Sequence, residues 1–285
     1  MNHGAKDAHP LVWAGLFVAH LAFAGLAFAQ NGTMPSLVPE LEQQQDTNQQ
    51  LKQRQLENTP QAPKVDPKEE AAYKAFYDAK SQDADARVTL GEAFVQKYPT
   101  SHYAESVYAG LTQAYYTKQD WKDFYANGDK ALALKPDDVA VLVVVGWVIP
   151  HTLKPSDPDA STNLDKAERY EKHAIEVVGA MQKPAGMTDD QFADTKASLL
   201  SQAHSALGLV YFRRQDPDES AKELQQATQS SANPDPTDLF VLGIDLQNLN
   251  RYAEAADAFS RCGQIQGALQ DRCKQSADAA KKQSR

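Results

Sequence analysis

Cysteine is scarce in this chain, with two residues among 285. A disulfide-dense secreted scaffold needs many more cysteines, and two thiolates alone do not complete the tetrahedral shell of a structural zinc site. The seven histidines are scattered, and no two of them stand at a metal-ligand spacing on a predicted helix. The sequence therefore predicts neither a cysteine-stapled fold nor a resident metal, and we expect no cofactor.

Positive charge is also in short supply. The chain carries 38 acidic against 29 basic residues, which gives a net charge of −9. Such a surface has no basic field to attract nucleic acid or an anionic membrane. We therefore expect no nucleic-acid partner, and we interpret the acidity as that of an ordinary soluble surface.

The motifs of common enzyme chemistry are missing as well. The sequence contains no H-E-x-x-H zinc motif, no G-x-S-x-G nucleophile elbow and no glycine-rich phosphate loop. It also lacks a cysteine–histidine pairing pattern of the kind that activates a nucleophile. We expect a protein that is not an enzyme and that has no small-molecule substrate.

The N-terminus carries the first positive signal. Leu11–Phe28 is an almost continuous apolar run that follows Lys6 and leads into an Ala-Phe-Ala ending. Small residues in that arrangement fit the pocket of a signal peptidase. We predict a Sec-type signal peptide over residues 1–29, cleavage before Gln30, and an exported product that is periplasmic or secreted. The alternative is an uncleaved membrane anchor, the one case in which we expect membrane contact, because about 18 apolar residues approach the length of a span.

Residues 30–67 have the composition of a tether. Glutamine crowds residues 40–55, five prolines punctuate the segment, and it contains no aromatic residue. Such a segment does not bury enough apolar surface to offset the entropy lost on ordering. We predict a disordered Gln/Pro-rich tether here, followed by folded chain from Lys68.

The folded part is organised around residues 105–138. Large and small residues recur there at three- and four-residue steps on two predicted helices, which a turn at Lys118–Asp120 separates. The pattern returns along the chain, and Gly208 and Gly243 of two copies are 35 residues apart. The recurring positions are Tyr108, Leu111, Tyr115, Ala131, Pro136, Gly146, Leu207, Gly208, Tyr211, Leu242, Gly243, Tyr252, Ala255 and Phe259.

These positions resemble the signature of the tetratricopeptide repeat, a helical hairpin of about 34 residues in which W-x-x-L-G-x-x-Y precedes small, aromatic and proline positions. Thr112 and Gly128 depart from it, since they replace the usual small residue and the usual second-helix aromatic. The resemblance implies an all-α fold, a right-handed superhelical array of about five antiparallel helix hairpins with a C-terminal capping helix. The hairpins are expected at residues 68–99, 104–136, 138–180, 188–230 and 236–262, and the cap at 264–281.

The third hairpin contains two unusual stretches. Val139–Pro150 is a β-branched run that favours a buried strand by propensity, whereas the repeat register requires a helix, and we predict a buried helix. Residues 151–163 form a polar, proline-broken insertion. We expect Thr162 or Asn163 to be the N-cap of the helix that follows it.

The insertion also contains an acidic constellation. The oxygen-bearing positions of a calcium loop are matched by Asp157, Asp159, Ser161, Asn163, Asp165 and Glu168. Thr162 stands where the sharp turn of such a loop needs glycine, and we expect Pro150 and Pro155 to exclude its entering helix. We therefore interpret the segment as a loop before a capped helix with acidic residues in its first turn, and we predict no metal site.

The two cysteines, Cys262 and Cys273, lie eleven residues apart, near the end of one predicted helix and on the next. Gly263 and Gly267 between them favour a turn that brings the sulfurs together, and an exported protein meets an oxidising compartment. We predict a disulfide, which would stabilise the fold by about 3 kcal/mol in the chain-entropy model. Two buried free thiols are the alternative.

The resemblance also implies a binding surface, because the first helices of tetratricopeptide arrays line a concave groove. By register its positions include Ala109, Gln113, Tyr116, Val143, Trp147, Gln202, Leu209, Phe212, Arg213, Phe240, Ile244 and Gln247. The set is largely apolar and aromatic, which suits an extended or helical apolar peptide. Ala109, Gln113 and Thr117 stand where chaperone-binding members carry a basic carboxylate clamp, so acidic chaperone tails are disfavoured.

Two functions agree with these features. The first is a non-enzymatic scaffold of the cell envelope that binds an unidentified protein or peptide in the groove. The alternative is a structural subunit of an envelope or outer-membrane assembly that contacts its partners through the tether or the convex face. The insertion or the tether occupying the groove is a further possibility for the groove itself.

Overall fold

The computed structural model describes residues 66–79, 83–154, 156–231 and 233–285. The predicted signal peptide, its cleavage position and nearly all of the predicted tether lie outside these residues. The described chain forms helices α1 (Pro67–Asp78), α2 (Ala84–Lys97), α3 (Ala104–Lys118), α4 (Trp121–Leu134), α5 (Val139–Thr152), α6 (Ala160–Ala180), α7 (Asp189–Arg213), α8 (Pro217–Ser230), α9 (Pro236–Asn248), α10 (Tyr252–Gln264) and α11 (Gln270–Gln283). None of these described helices is long and apolar enough to cross a membrane.

The helices pack as consecutive hairpins. Each first helix lies against the second helix of its own hairpin, and each second helix also contacts the first helix of the next one. The first helices α5, α7 and α9 contact one another in turn, and α11 packs on α10 at the end. Contacts confined to near neighbours define a solenoid. The predicted all-α array of tetratricopeptide-type hairpins with a C-terminal cap is confirmed.

Short polar residues fix where many of these helices begin. In six helices the side chain of the N-cap aspartate accepts a hydrogen bond from a backbone N–H of the first turn. These aspartates are Asp66, Asp83, Asp120, Asp138, Asp216 and Asp235. Proline follows three of these caps, where its missing N–H leaves no intrahelical bond unmade. Each cap contributes about 1 kcal/mol, so the repeat boundaries are defined locally before any packing between hairpins.

The helix α5 confirms the register-based prediction against local β propensity. Val145, Val148 and Ile149 are all at most 2% exposed, because neighbouring helices cover an apolar surface that extends round the whole helix. The helix continues two residues past Pro150. It ends at Thr152 and does not lead into Asp157, so it is not the entering helix of a calcium loop. A proline so near the C-terminus removes only one intrahelical bond.

The start of α6 also differs from the prediction. The helix begins at Ala160 with Asp159 as N-cap, and not after Thr162 or Asn163. Asn163 donates its backbone N–H to the carbonyl oxygen of Asp159 at 2.9 Å, so it already lies within the first turn. Polar residues crowd this segment, and several of them are able to act as the N-cap at which a helix begins.

Most of the calcium-like positions are thereby placed on a helix. Ser161, Asn163, Asp165 and Glu168 lie within α6, where their side chains do not converge as those of a calcium loop do. Asp165 and Glu168 instead accept hydrogen bonds from the Arg214 guanidinium at 2.5 Å each. Their role in the structure is an ion-pair network between α6 and α7.

The two helices of a hairpin meet at a glycine of the first helix. A Cβ on Gly208 would lie 2.5 Å from Leu224 Cγ, and one on Gly243 would lie 2.5 Å from the Phe259 ring. In both hairpins the large partner stands sixteen residues after the glycine. Such distances leave no room for a methyl group, so glycine is what allows the helices to approach.

The second hairpin reaches the same contact with the two sizes exchanged. Thr112 occupies the first-helix position and Gly128 follows it after the same sixteen residues. A Cβ on Gly128 would lie 3.6 Å from the Thr112 methyl group and 2.7 Å from Val145 of α5. A Cβ on Gly128 would be at an ordinary van der Waals distance from Thr112, so the small second-helix residue leaves room for threonine, and the close contact at Gly128 is with Val145 of the next hairpin.

The predicted disulfide between Cys262 and Cys273 is present. It joins the C-terminal end of α10 to α11 across a Cα–Cα distance of 5.7 Å, and both residues are fully buried. Ala277 and Ala280 continue the buried face of α11, while its other side is polar and exposed. The last helix thus covers the apolar end of the array and is covalently held there.

We expect Gly243→Ala to lower the free energy of unfolding by about 1 to 3 kcal/mol, since the rigid Phe259 ring has to move. The matched control is Gly179→Ala near the end of α6, where a Cβ meets nothing within 4 Å. That substitution is expected to leave stability unchanged or raise it by up to about 1 kcal/mol, because alanine favours helices. Urea unfolding followed by circular dichroism measures both variants. Equal effects of the two would contradict the close-contact account.

Candidate functional site

Most of the predicted groove positions reach the surface of the first helices. Gln113 of α3 and Arg213 of α7 are exposed, and the other surface positions are partly exposed. We call the set that the structure leaves accessible the first-helix face: Gln113, Tyr116, Trp147, Phe212, Arg213, Ile244 and Gln247. Ala109 and Gln202, which the register also places there, are partly exposed too. The face draws side chains from α3, α5, α7 and α9.

Three predicted groove residues are buried instead. Val143, Leu209 and Phe240 are exposed by 2%, 7% and 8%, and they belong to the apolar core. Phe240 contacts the Phe259 ring at a centroid distance of 5.6 Å, and the Arg272 guanidinium of α11 covers it at 4.7 Å. Val143 and Leu209 lie on first helices that pack against the next one, whereas α10 and α11 cover Phe240. They support the face from below, and whether the accessible residues bind a ligand stays a prediction.

A polar junction joins α5 to α7 beside the face. The Trp147 indole stacks on the His151 imidazole at a centroid distance of 3.7 Å, and His151 Nδ1 lies 2.7 Å from the Trp147 carbonyl oxygen. Arg213 Nη2 donates to the carbonyl oxygen of Pro150 at 3.0 Å. Side chains of the two helices thus fix each other's positions along the face.

His151 is the residue of this junction that the sequence analysis missed. Burial lowers its pKa first of all, and Arg213 adds to this, whereas the hydrogen bond to Trp147 and the charge of Asp235 act the other way. The imidazole is therefore neutral at pH 7 and serves as a stacking partner of Trp147. Its register was visible, since it stands 34 residues after Thr117.

Aromatic contacts extend the face towards the N-terminal side. The Tyr116 ring lies 6.1 Å from both Trp121 and Phe124 of α4, within the range of edge-to-face pairs. At the other end, Gln247 Nε2 is 3.5 Å from Gln283 Oε1 of α11. The face thus combines fixed aromatic surface with amide groups that both donate and accept hydrogen bonds.

A buried carboxyl lies directly beneath the face. Glu171 of α6 is fully buried, and neither of its carboxyl oxygens has a hydrogen-bond partner in the described chain. It packs against Gly146, where a Cβ would collide with the carboxyl group. Burial alone raises the pKa of Glu171 well above its ordinary value and so favours the protonated carboxyl in the folded protein.

Glu171 stands where the other hairpins have large apolar residues. Leu224 meets Gly208 and Phe259 meets Gly243 in the same way that Glu171 meets Gly146. Twenty-five residues separate Gly146 from Glu171 because the insertion lengthens this hairpin. The residue spacing does not reveal this equivalence, since the insertion displaces it.

Comparison with known proteins gives similarity at the level of solved structures alone. No protein-family model and no curated protein sequence matches the chain. TTC0263, a thermophilic TPR protein of Thermus thermophilus, shares 16% identity over 74% of this chain and 98% of its own, with a TM-score of 0.44. Yeast Tom70 shares 14% over 75% of this chain and 39% of its own, with a TM-score of 0.49.

The apo form of the quorum sensor NprR of B. thuringiensis is a further structure of this kind. It shares 13% identity over 85% of this chain and 76% of its own, with a TM-score of 0.34. Identities and scores at this level transfer no function. The chain's own side chains have to carry any functional conclusion.

Glu171→Gln is expected to remove a pH-dependent loss of stability. A carboxyl whose folded pKa is raised stabilises the protein fully below its unfolded pKa of about 4.3, and stability then falls by about 1.4 kcal/mol per pH unit until the folded pKa is reached. Urea unfolding at pH 5, 6 and 7 measures the slope. The free energy of unfolding of the variant should rise relative to that of the wild type as pH rises.

The matched control for this measurement is Glu176→Gln, an exposed residue of the same helix. Its unfolding free energy should follow the wild-type pH dependence. A Glu171→Gln curve parallel to the wild-type curve would show that Glu171 is not a protonated buried group.

Proposed function

We propose that this tetratricopeptide-type array is a non-enzymatic scaffold that binds a protein or peptide partner through the first-helix face. The observation that carries the proposal is that four first helices, α3, α5, α7 and α9, contribute accessible side chains, and that α5, α7 and α9 contact one another in turn. These helices have capped or tightly packed ends, so the face is held in shape before a partner arrives. Preorganised side chains lose little entropy on binding.

The chemistry of the face favours a peptide with apolar anchors. Tyr116, Trp147 and Phe212 offer aromatic surface, and residues of these types dominate the binding energy of many interfaces. Gln113 and Gln247 offer amide groups that complement the backbone of an extended segment. Arg213 adds one cation, which is held in place by the carbonyl oxygen of Pro150.

We place this scaffold in the cell envelope. The proposal rests on the apolar run and the Ala-Phe-Ala ending of residues 1–29, which have the pattern of an export signal. The Cys262–Cys273 disulfide supports it, because such bridges persist in oxidising compartments.

A structural subunit of an envelope assembly is the second candidate function. Two large apolar side chains that are not part of the first-helix face are exposed, namely Tyr77 of α1 at 62% and Leu134 of α4 at 56%. Surface outside the groove or the segment 30–67 would then make the contacts.

A photo-crosslinking residue separates the two functions. We expect benzoyl-phenylalanine at Gln113 to capture a partner in the native cell, and the same residue at Arg169 on α6 to capture none, because Arg169 is exposed outside the face. Trp147→Ala or Phe212→Ala should lower the yield at Gln113 by about tenfold, as truncation of an aromatic anchor costs at least about 1.4 kcal/mol. Thermal unfolding checks that the variants fold.

The opposite pattern would contradict the groove proposal. Capture of the same partner at Arg169, with no effect of Trp147→Ala or Phe212→Ala, would place the contact elsewhere. Loss of that capture on deletion of residues 30–67 would then favour the structural subunit.

A further inference from the structure

Two buried aspartates of α9 face the preceding hairpin. Asp238 and Asp245 are 4% and 1% exposed and stand two helical turns apart on one side of the helix. Neither forms an ion pair with a described basic residue. Their hydrogen-bond partners are serine hydroxyls, Ser205 Oγ of α7 for Asp238 at 2.8 Å and Ser220 Oγ of α8 for Asp245 at 2.5 Å.

The hydrogen count at Ser220 determines the protonation state of Asp245. Ser220 Oγ lies 2.5 Å from Asp245 Oδ2 and 2.9 Å from the Gly208 carbonyl oxygen, and a carbonyl oxygen only accepts. The hydroxyl has a single hydrogen, so it does not donate a full two-centre hydrogen bond to both. Two full hydrogen bonds at these distances form when Asp245 carries a proton and donates it to Ser220, while Ser220 donates to Gly208.

The neutral carboxyl therefore links three helices. The chain of donors runs from Asp245 on α9 through Ser220 on α8 to the Gly208 carbonyl on α7. Ionisation of Asp245 would remove one of the two hydrogen bonds and leave a buried charge without a cation. The pair formed by Ser205 and Asp238 lies at the same junction, one hydroxyl hydrogen serving one carboxyl.

The electrostatic environment of the two carboxyls also favours their protonated form. Burial raises the pKa of Asp238 to about 7 and that of Asp245 to about 6. The Ser205 hydroxyl, which donates to Asp238, lowers the pKa of Asp238 by a smaller amount. Among the described residues, the one charged group that contributes is Asp235 at the start of α9, which raises the pKa of Asp238 further. From α7 and α8 only the serine hydroxyls act on these carboxyls, and no charged group of α10 or α11 does.

We propose that α9, and with it the C-terminal end of the array, docks on α7 and α8 through protonated carboxyls, so that the junction is firm in mildly acidic solution and loosens as pH rises. We call Ser205, Gly208, Ser220, Asp238 and Asp245 the α9 joint. The sign follows from linkage, because both groups have raised folded pKa values. Their stabilisation is complete below the unfolded value of about 3.9 and is lost as pH rises through about 6 and about 7.

Hydrogen exchange of the full chain tests the joint. Protection factors at pH 5 and pH 8, corrected for the intrinsic exchange rate, are compared between α9–α11 and α3–α4. Between pH 5 and pH 8 we expect the protection factors of α9–α11 in the wild type to fall at least about tenfold more than those of α3–α4. Ionisation of Asp245 alone accounts for a fall of that size. Asp245→Asn keeps a hydrogen-bond donor for Ser220 and does not ionise. The fall in the protection of α9–α11 between pH 5 and pH 8 is therefore expected to be about tenfold smaller in this variant than in the wild type.

The matched control is Asp257→Asn on α10, an exposed aspartate that should leave the wild-type pH dependence unchanged. Equal pH dependence of Asp245→Asn and Asp257→Asn would overturn the proposal, as would wild-type protection that does not change with pH. Should Asp245→Asn fail to fold, the carboxyl ¹³C shift of Asp245 in the wild type decides. A neutral carboxyl at pH 5 supports the joint, and an ionised one overturns it.

Discussion

The close approach of the two helices in each hairpin is the contact on which the rest of the structure depends. At Gly208 and Gly243 the facing side chain occupies the space that a methyl group would need. A helix pair held so close buries one side chain completely, and it then presents a continuous ridge to the next hairpin. The array propagates because this local contact is repeated, in the manner of other solenoids.

The hairpins of this chain fill the contact between their two helices with different residue types. Thr112 with Gly128 achieves it with the small residue on the second helix. Gly146 with Glu171 achieves it with a carboxyl group where the other hairpins place leucine or phenylalanine. The latter is the less stable solution, since an unpaired buried polar group costs free energy that an apolar side chain of that size does not.

The repeat period made the fold predictable, because it depends on residues whose size acts at short range. Glycines and large residues at fixed spacing located the hairpins, and the same register correctly overruled the strand propensity of Val139–Pro150. The aspartate caps act just as locally. Where several polar residues compete, as in residues 157–163, the sequence does not decide which one is the N-cap at which the helix begins.

Burial on the first-helix face was less predictable, for a physical reason. The register gives the direction of a side chain from its own helix, whereas the exposure of Val143, Leu209 and Phe240 depends on the distance to the neighbouring helices. That distance is set by side chains far away in the sequence. Glu171 was missed because the insertion displaces the spacing from which its role follows, whereas His151 kept its spacing but was counted as part of the insertion.

The accessible face and the buried polar groups are properties of the same helices. Ile244 and Gln247 of the face lie on α9 next to Asp245, whose hydrogen bonds hold that helix against α7 and α8. Trp147 lies on α5 one residue after Gly146, which packs on Glu171. A change in either buried group therefore alters the position of a helix that carries part of the face. In an array whose contacts run only between neighbours, such a change acts first on the adjacent hairpins, so each segment of the face is controlled by the core directly beneath it.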